Sequence, residues 1–168
     1  MSDQIHFQQP VAICFDIGET LVDETRHWAA IGAESGVPLL TLFGVLGGTA
    51  ALCEHHRRVF EILDIPPLAG PDYEQIDLYP DALPCLHALR ARGFKLGLAG
   101  NQPARTERFL RDLGVEVDLV ASSATWGVEK PSPAFFERLA AEFKLPAHEI
   151  AYVGDRVDND VLPTLAAA

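Results

Sequence analysis

Short apolar segments that alternate with helical patterns constrain the fold of this chain more than any other feature. The first segment, 10–15 (PVAICF), is a continuous run of strand formers, as expected for a strand buried on both faces of a parallel sheet. Further strand patterns lie at 94–101, 117–122 and 149–155. Helical patterns lie at 80–93, 105–114, 132–143 and 159–168. This alternation predicts an α/β fold with a doubly wound parallel sheet.

A mostly helical segment, 23–63, interrupts the alternation after the first strand. Glycines and a proline predict breaks at 36–38 and 47–49 within it. A stretch rich in proline and glycine, 65–72 (IPPLAGPD), then predicts a linker. The segment is therefore an insertion into the sheet-forming part of the chain.

Composition excludes several functional classes. The 168 residues are 48% hydrophobic and carry a net charge of −11, which argues against a nucleic-acid or anionic-membrane binder. The sequence has no run of about 18 apolar residues, so we predict no membrane span. The first ten residues do not have the pattern of a secretory signal. The three cysteines, Cys14, Cys53 and Cys85, are widely spaced. We read them as reduced thiols and expect a cytoplasmic protein.

Carboxylates follow the first and the last predicted strands. Asp16 comes directly after 10–15, whereas Asp155, Asp158 and Asp160 lie at or just after the end of 149–155. Because the carboxyl ends of parallel strands meet at one edge, Asp16 and Asp155 are expected to face one crevice. Converging carboxylates and carbonyls suit Mg²⁺. Helix capping is the alternative, and it is the favoured interpretation for Asp158.

Other polar residues occupy comparable positions in loops. Lys130 lies in GVEKPSP, where the following proline fixes the chain just before a helix, so its ammonium group can point into the crevice. Thr20 and Asn101 also follow strand ends. In isolation these two residues would be ordinary turn formers.

Together these residues resemble the haloacid dehalogenase-like hydrolase superfamily, whose four motifs occur here in order. FDIGETL (15–21) is similar to the first motif, Asp-x-Asp-x-Thr/Val, and LGLAGN (96–101) lies where the second motif has Ser or Thr. GVEKPSPAFF (127–136) resembles the third motif, and YVGDRVDND (152–160) resembles the fourth. The resemblance covers nearly the whole chain and implies a Rossmann-like core.

The resemblance implies a Mg²⁺-dependent phosphatase-like hydrolase of a small phosphorylated metabolite. Asp16 would attack the phosphoryl group, and water would hydrolyse the resulting aspartyl-phosphate. The metal ligands would be Asp16, Asp155 and the main-chain carbonyl of Gly18, with support from Asp160 directly or through water. Lys130 would hold the phosphoryl oxygens and offset repulsion between the substrate and Asp16.

Two glycines depart from the family pattern. Gly18 replaces the second Asp of the first motif. In the family, that Asp donates a proton to the leaving group and later accepts one from water, and such proton transfer raises the reaction rate about 10²–10⁴-fold. Gly100 replaces the Ser or Thr of the second motif. Main-chain N–H groups near Gly100, Asn101 and Thr20 remain as candidate phosphate-binding groups. Glu19 is one position away from Gly18, and its side chain is expected to point elsewhere.

These departures leave two alternatives open. One is a catalytically weak or inactive homologue that binds a phosphorylated ligand or a protein partner. The other is a dehalogenase- or phosphonatase-type hydrolase, since such enzymes also lack the second Asp. The retained acids at 155 and 160 argue against a dehalogenase, which uses no metal.

The insertion lies where helical caps occur in this family. We predict a core domain of 1–22 and 78–168 and a cap of 23–77, with the aromatic residues Trp28, Phe43 and Phe60 in the cap core. The basic stretch 53–58 (CEHHRR) is interpreted as an exposed helix face, with contact to an anionic substrate as the alternative. The core is short at its C-terminal end, so the last strand is expected at an open sheet edge that a second copy of the chain would cover.

Overall fold

The computed structural model describes residues 9–167, and its centre is a four-stranded parallel sheet. The strands lie in the order β3-β2-β1-β4 and comprise β1 (Ala12–Phe15), β2 (Lys95–Gly100), β3 (Leu119–Ser122) and β4 (Ile150–Val153). In this register Cys14 pairs with Gly97 on one side and with Tyr152 on the other. The predicted α/β fold with a parallel sheet is therefore confirmed.

Helices follow each strand and also form the insertion. Those of the insertion are α1 (Thr25–Ser35), α2 (Leu39–Ala51) and α3 (Arg58–Ile62). The others are α4 (Ala82–Ala91), α5 (Thr106–Arg111), α6 (Ser123–Trp126), α7 (Pro133–Phe143) and α8 (Leu162–Ala167). The short α6 was not predicted, and the predicted helix at 159–168 begins instead with a π turn, Val157–Val161.

Apolar side chains fill both faces of the sheet. Because successive side chains of a strand point to opposite faces, Ile13 and Phe15 join one cluster while Ala12 and Cys14 join the other. The first cluster lies under α4 and α5, and the second lies under α7. This two-sided burial explains the continuous apolar runs of the strands.

The insertion has an apolar cluster of its own. Trp28 and Phe60 are buried in it and Phe43 packs against it, as predicted. The break at 36–38 is confirmed, since Gly36 has a φ of 70° and ends α1. The break at 47–49 is wrong because α2 continues to Ala51, and a glycine costs a helix only about 1 kcal/mol. The division into a core domain (1–22 and 78–168) and a cap (23–77) stays a prediction.

The strand β4 forms one edge of the sheet, as expected. Apolar side chains next to this edge are exposed, among them Val153 at 39%, Val157 at 63% and Leu162 at 58%. A second copy of the chain on this edge stays a prediction. Within residues 9–167, no helix is both long and apolar enough to cross a membrane.

Candidate active site

The carboxyl edge of the sheet brings the predicted site residues together. Asp16 directly follows β1, and Asp155 lies two residues beyond β4. Lys130 enters from the loop before α7, and Asp160 enters from the π turn. One carboxylate oxygen from each of Asp16, Asp155 and Asp160 lies within 4.8 Å of the other two. Residues up to 144 positions apart in sequence thus form one polar cluster.

The ammonium group of Lys130 lies between two of these carboxylates. Its Nζ is 2.8 Å from Oδ2 of Asp16 and 2.6 Å from Oδ1 of Asp160. The Lys130 side chain is fully buried, and Nζ lies 5.1 Å from the centre of the Tyr152 ring. A buried ammonium group needs such charged partners, because an unpaired buried ion is strongly unfavourable.

Negative charge exceeds positive charge in this cluster. Burial raises the pKa of Asp16 to about 6, although the Lys130 ammonium opposes the change and the Asp160 carboxylate adds to it. Burial also raises the pKa of Asp155, and Asp160 contributes to this shift. The site therefore favours the arrival of a further cation or a proton.

Thr20 and Asn101 differ in how their side chains are used. The hydroxyl oxygen of Thr20 is buried and has no hydrogen-bond partner among the described residues. The Asn101 side chain, in contrast, donates from Nδ2 to the Lys130 carbonyl and accepts at Oδ1 from the Lys130 N–H, each at 2.8 Å. Asn101 therefore positions Lys130, and its role as a phosphate ligand stays a prediction.

Gly100 leaves room for the carboxylate of Asp16. A Cβ atom at residue 100 would overlap Oδ1 of Asp16 and lie 3.4 Å from its Cγ. No side chain fits at residue 100 while Asp16 keeps this position. The Ser or Thr that the second motif usually has at this place is therefore incompatible with the present position of the Asp16 carboxylate.

The space beside Gly18 is filled from elsewhere in the chain. A Cβ atom at residue 18 would lie 2.5 Å from Oε1 and 2.7 Å from Cδ of Glu24. Glu19 does not take this position, as expected, because its Oε2 accepts a 2.7 Å hydrogen bond from Tyr79 and its Oε1 accepts one from the Glu24 N–H. The sequence did not single out Glu24. The only available signal was its place in the acidic stretch after the first motif.

A cavity of about 1080 Å³ lies above the carboxylate cluster, between the sheet edge and the insertion. The interpretation of 53–58 as an exposed helix face is wrong, because α2 ends at Ala51 and α3 begins at Arg58. His55, His56 and Arg57 lie in the turn between these helices and line the cavity. Burial lowers the pKa of His56 to about 3, so this side chain is neutral at physiological pH.

Arginines supply the fixed positive charge of the cavity. Besides Arg57, the cavity is lined by Arg105 and Arg156. Arg156 also joins the core to the insertion, since its Nη2 donates to the main-chain carbonyl of Glu54 at 3.2 Å. Its guanidinium forms an ion pair with Asp158 at 2.6 Å. The side chain of Asp158 therefore binds an arginine, in contrast to the helix cap that we favoured from the sequence.

Comparison with known proteins identifies the family. Residues 11–168 match the haloacid dehalogenase-like hydrolase family, so the chain belongs to that family. A glyceraldehyde 3-phosphate phosphatase from Pyrococcus abyssi is 35% identical, with the alignment covering 89% of this chain and 74% of that protein. One from Methanopyrus kandleri is 40% identical, but the alignment covers 49% of this chain and only 37% of that protein.

Solved structures show the same fold. A predicted phosphoglycolate phosphatase from Haemophilus somnus superposes with a TM-score of 0.66 at 20% identity, covering 95% of this chain and 83% of that chain. A phosphatase of the same family from Thermococcus onnurineus gives a TM-score of 0.62 at 21% identity, covering 94% and 82%. Both agree with the Rossmann-like core that the four motifs implied.

Proposed function

We propose that this chain is a Mg²⁺-dependent phosphatase-like hydrolase that acts on a small phosphorylated metabolite through an aspartyl-phosphate on Asp16. The observation that carries the proposal is the position of Lys130 Nζ, 2.8 Å from Asp16 and 2.6 Å from Asp160, at the carboxyl edge of the sheet. The names of the relatives support the substrate class, since two of them are glyceraldehyde 3-phosphate phosphatases.

The donor set fits Mg²⁺. Three carboxylates lie within reach of one ion, and hard oxygen ligands are those that Mg²⁺ prefers. Burial raises the pKa of Asp16, and a bound cation would stabilise the charged form of this buried carboxylate. Asp16, Asp155 and the Gly18 carbonyl would hold the ion, with Asp160 in support directly or through water. A bound ion would neutralise charge on the phosphoryl group.

The protein groups then have separate roles. A carboxylate oxygen of Asp16 attacks phosphorus, and water later releases the phosphate from Asp16. The ammonium group of Lys130 holds the phosphoryl oxygens, and Asn101 keeps Lys130 in position through its main chain. The Thr20 hydroxyl is buried without a partner, so it is available to donate to a phosphoryl oxygen.

The cavity supports an anionic substrate of modest size. Arg57 lines it from the insertion, whereas Arg105 and Arg156 line it from loops at the carboxyl edge of the sheet. Arg105 and Arg156 are paired with Asp72 and Asp158. Arg57 is therefore the guanidinium that we expect to attract a phosphorylated metabolite despite the acidic composition of the whole chain. We do not expect a nucleic-acid partner at this net charge. The three cysteines form no disulfide with one another, which supports our proposal of a cytoplasmic location.

A second candidate function is binding of a phosphorylated ligand with little or no turnover. Gly100 favours this function, because it lacks the Ser or Thr hydroxyl of the second motif. A side chain at residue 100 would overlap the Asp16 carboxylate. Loss of one such donor costs about 10²–10³ in rate. Dehalogenase chemistry has less support, since Asp155 and Asp160 both lie in the candidate metal cluster.

Hydrolysis of p-nitrophenyl phosphate with and without Mg²⁺ tests the proposal. The variant Asp16→Asn should abolish turnover, whereas Asp112→Asn, on an exposed helix end, should leave it unchanged. Turnover that needs both Mg²⁺ and Asp16 supports the phosphatase. A folded protein that binds Mg²⁺ and vanadate without turnover supports the binding protein instead. Metal-independent release of halide from a haloacid would support a dehalogenase.

A further inference from the structure

The carboxylate of Glu24 occupies the space that a side chain at residue 18 would fill. Oε1 and Oε2 of Glu24 lie 2.5 Å and 3.2 Å from the position of a Cβ atom built on Gly18. An aspartate at residue 18 and the present position of Glu24 are therefore mutually exclusive. The carboxylate of Glu24 thus lies where the side chain of residue 18 would otherwise be.

Glu24 is directed to this place by its own contacts. It is the residue before α1, but its side chain makes no hydrogen bond that caps the helix. The carboxylate instead accepts hydrogen bonds from the Tyr73 hydroxyl at Oε1 and from Nε1 of Trp28 at Oε2, the latter at 3.2 Å. Glu24 lines the same cavity as Asp16 and Lys130. Two donors from the insertion thus hold the Glu24 carboxylate at the wall of the cavity that Asp16 also lines.

We propose that Glu24 is the proton-transfer residue of this site, an inference that rests on the proposed phosphatase function. In the first half-reaction, a carboxylate oxygen of Asp16 forms a bond to phosphorus. The bond between phosphorus and the leaving oxygen breaks, and its electron pair stays on that oxygen. The carboxylic acid of Glu24 donates its proton to the same oxygen, and the alcohol departs.

The second half-reaction restores both residues. The Glu24 carboxylate takes a proton from water as the water oxygen bonds to phosphorus. The bond between phosphorus and Asp16 breaks, and its electron pair returns to the carboxylate of Asp16. Inorganic phosphate leaves, Glu24 is again protonated, and no further reactant is needed.

A purely structural role for Glu24 predicts different behaviour. If Glu24 only joined α1 to Tyr73, its loss would affect all substrates equally through stability or geometry. A proton donor matters most for a poor leaving group, because an alkoxide needs protonation whereas p-nitrophenolate does not. The ratio of turnover on an alkyl phosphate to that on an aryl phosphate therefore separates the two roles.

The test compares wild type, Glu24→Gln and Glu34→Gln on glycerol 3-phosphate and p-nitrophenyl phosphate. Glu34 is exposed on α1, the helix that Glu24 precedes, and serves as the matched control. Glu24→Gln should lower kcat on the alkyl substrate by about 10²-fold or more and on the aryl substrate by less than about tenfold. Its Mg²⁺ affinity, measured by calorimetry, should match wild type. Equal losses on both substrates, or no loss on either, would overturn the role of Glu24.

A paired variant keeps the proposal testable if Glu24→Gln folds poorly. Glu24→Ala removes the carboxylate and makes room for Gly18→Asp. The double variant should recover alkyl-phosphate turnover at least about tenfold over Glu24→Ala, since the proton donor is restored from residue 18. No recovery in a folded double variant would contradict the proposal. A wild type inactive on both substrates would instead overturn the phosphatase function itself, and the role of Glu24 with it.

Discussion

Lys130 and Asp160 form a buried ion pair, with Nζ 2.6 Å from Oδ1 and each side chain no more than 1% exposed. The partners come from different loops, one before α7 and one in the π turn after β4. Asp16 shares the same ammonium group at 2.8 Å. Lys130 therefore joins three segments of the site, so it contributes to stability as well as to the proposed chemistry.

Removal of the buried ammonium should destabilise the protein strongly. Lys130→Met leaves the carboxylates of Asp16 and Asp160 buried without their counter-ion, so we expect a loss of about 3–5 kcal/mol in the free energy of unfolding. Urea denaturation without metal measures this loss. The matched control is Lys144→Met, which removes an exposed lysine after α7 and should cost less than about 0.5 kcal/mol. A similarly small loss for Lys130→Met would show that the ion pairs of Lys130 do not stabilise the fold.

Addition of a methyl group at residue 100 should reduce activity by displacing Asp16. The Cβ of Gly100→Ala would overlap Oδ1 of Asp16, which must then turn away from its present position. A misplaced nucleophile costs about 10²-fold, so kcat on p-nitrophenyl phosphate should fall by that order. In the control Gly44→Ala, the new Cβ meets no atom within 4 Å on α2, and kcat should be unchanged. Unchanged kcat in Gly100→Ala would show that the Asp16 position is not critical.

The ion pair between Arg26 and Asp77 should make stability depend on pH. Hydrogen bonds from Arg26, 2.7 Å and 2.5 Å long, hold the pKa of Asp77 below its usual value of 3.8. A lowered pKa stabilises the fold above about pH 4, and this contribution is lost as the pH falls through the folded-state pKa.

The variant Asp77→Asn measures that contribution. At pH 7 it should lose about 1–3 kcal/mol in the free energy of unfolding, and the gap to wild type should close as the pH falls below about 4. The control is Glu74→Gln. The Glu74 side chain also contacts Arg26 but is 67% exposed, so its loss should change the free energy of unfolding by less than about 0.5 kcal/mol. A gap that widens on acidification would refute the assignment.

The turn between α2 and α3 should contribute to substrate affinity. Arg57 is exposed and lines the cavity, so Arg57→Ala should raise KM for an anionic substrate about threefold to fivefold and leave kcat nearly unchanged. Arg92→Ala, on the exposed end of α4, is the matched control. Equal KM values for the two variants would show that Arg57 does not contribute to substrate binding.

Local patterns predicted the features that depend on local sequence. The four strands were predicted to within a few residues, because apolar runs and their polar ends follow directly from burial in a parallel sheet. The convergence of Asp16 and Asp155 followed from the shared carboxyl edge of such a sheet, and the resemblance to the fourth motif added Asp160. The four motifs then pointed to the family to which the chain belongs.

Features that depend on tertiary contacts were missed. Glu24 reads in sequence as one more acid before a helix, and only its contacts with Tyr73 and the space at Gly18 show where the carboxylate lies. Nothing in the sequence indicated that the Asn101 side chain contacts the main chain of Lys130, 29 residues away. The basic turn 53–58 faces the cavity because the insertion folds over the sheet edge, which helical periodicity does not encode.

Detection of a covalent intermediate tests the proposed nucleophilic role of Asp16. The protein would be mixed with Mg²⁺ and p-nitrophenyl phosphate, quenched in acid within milliseconds, digested and examined by mass spectrometry. We expect a phosphoryl group on the peptide that contains Asp16, and none in Asp16→Asn. Steady turnover with no phosphoryl group on the protein, or with the group on another residue, would contradict that role.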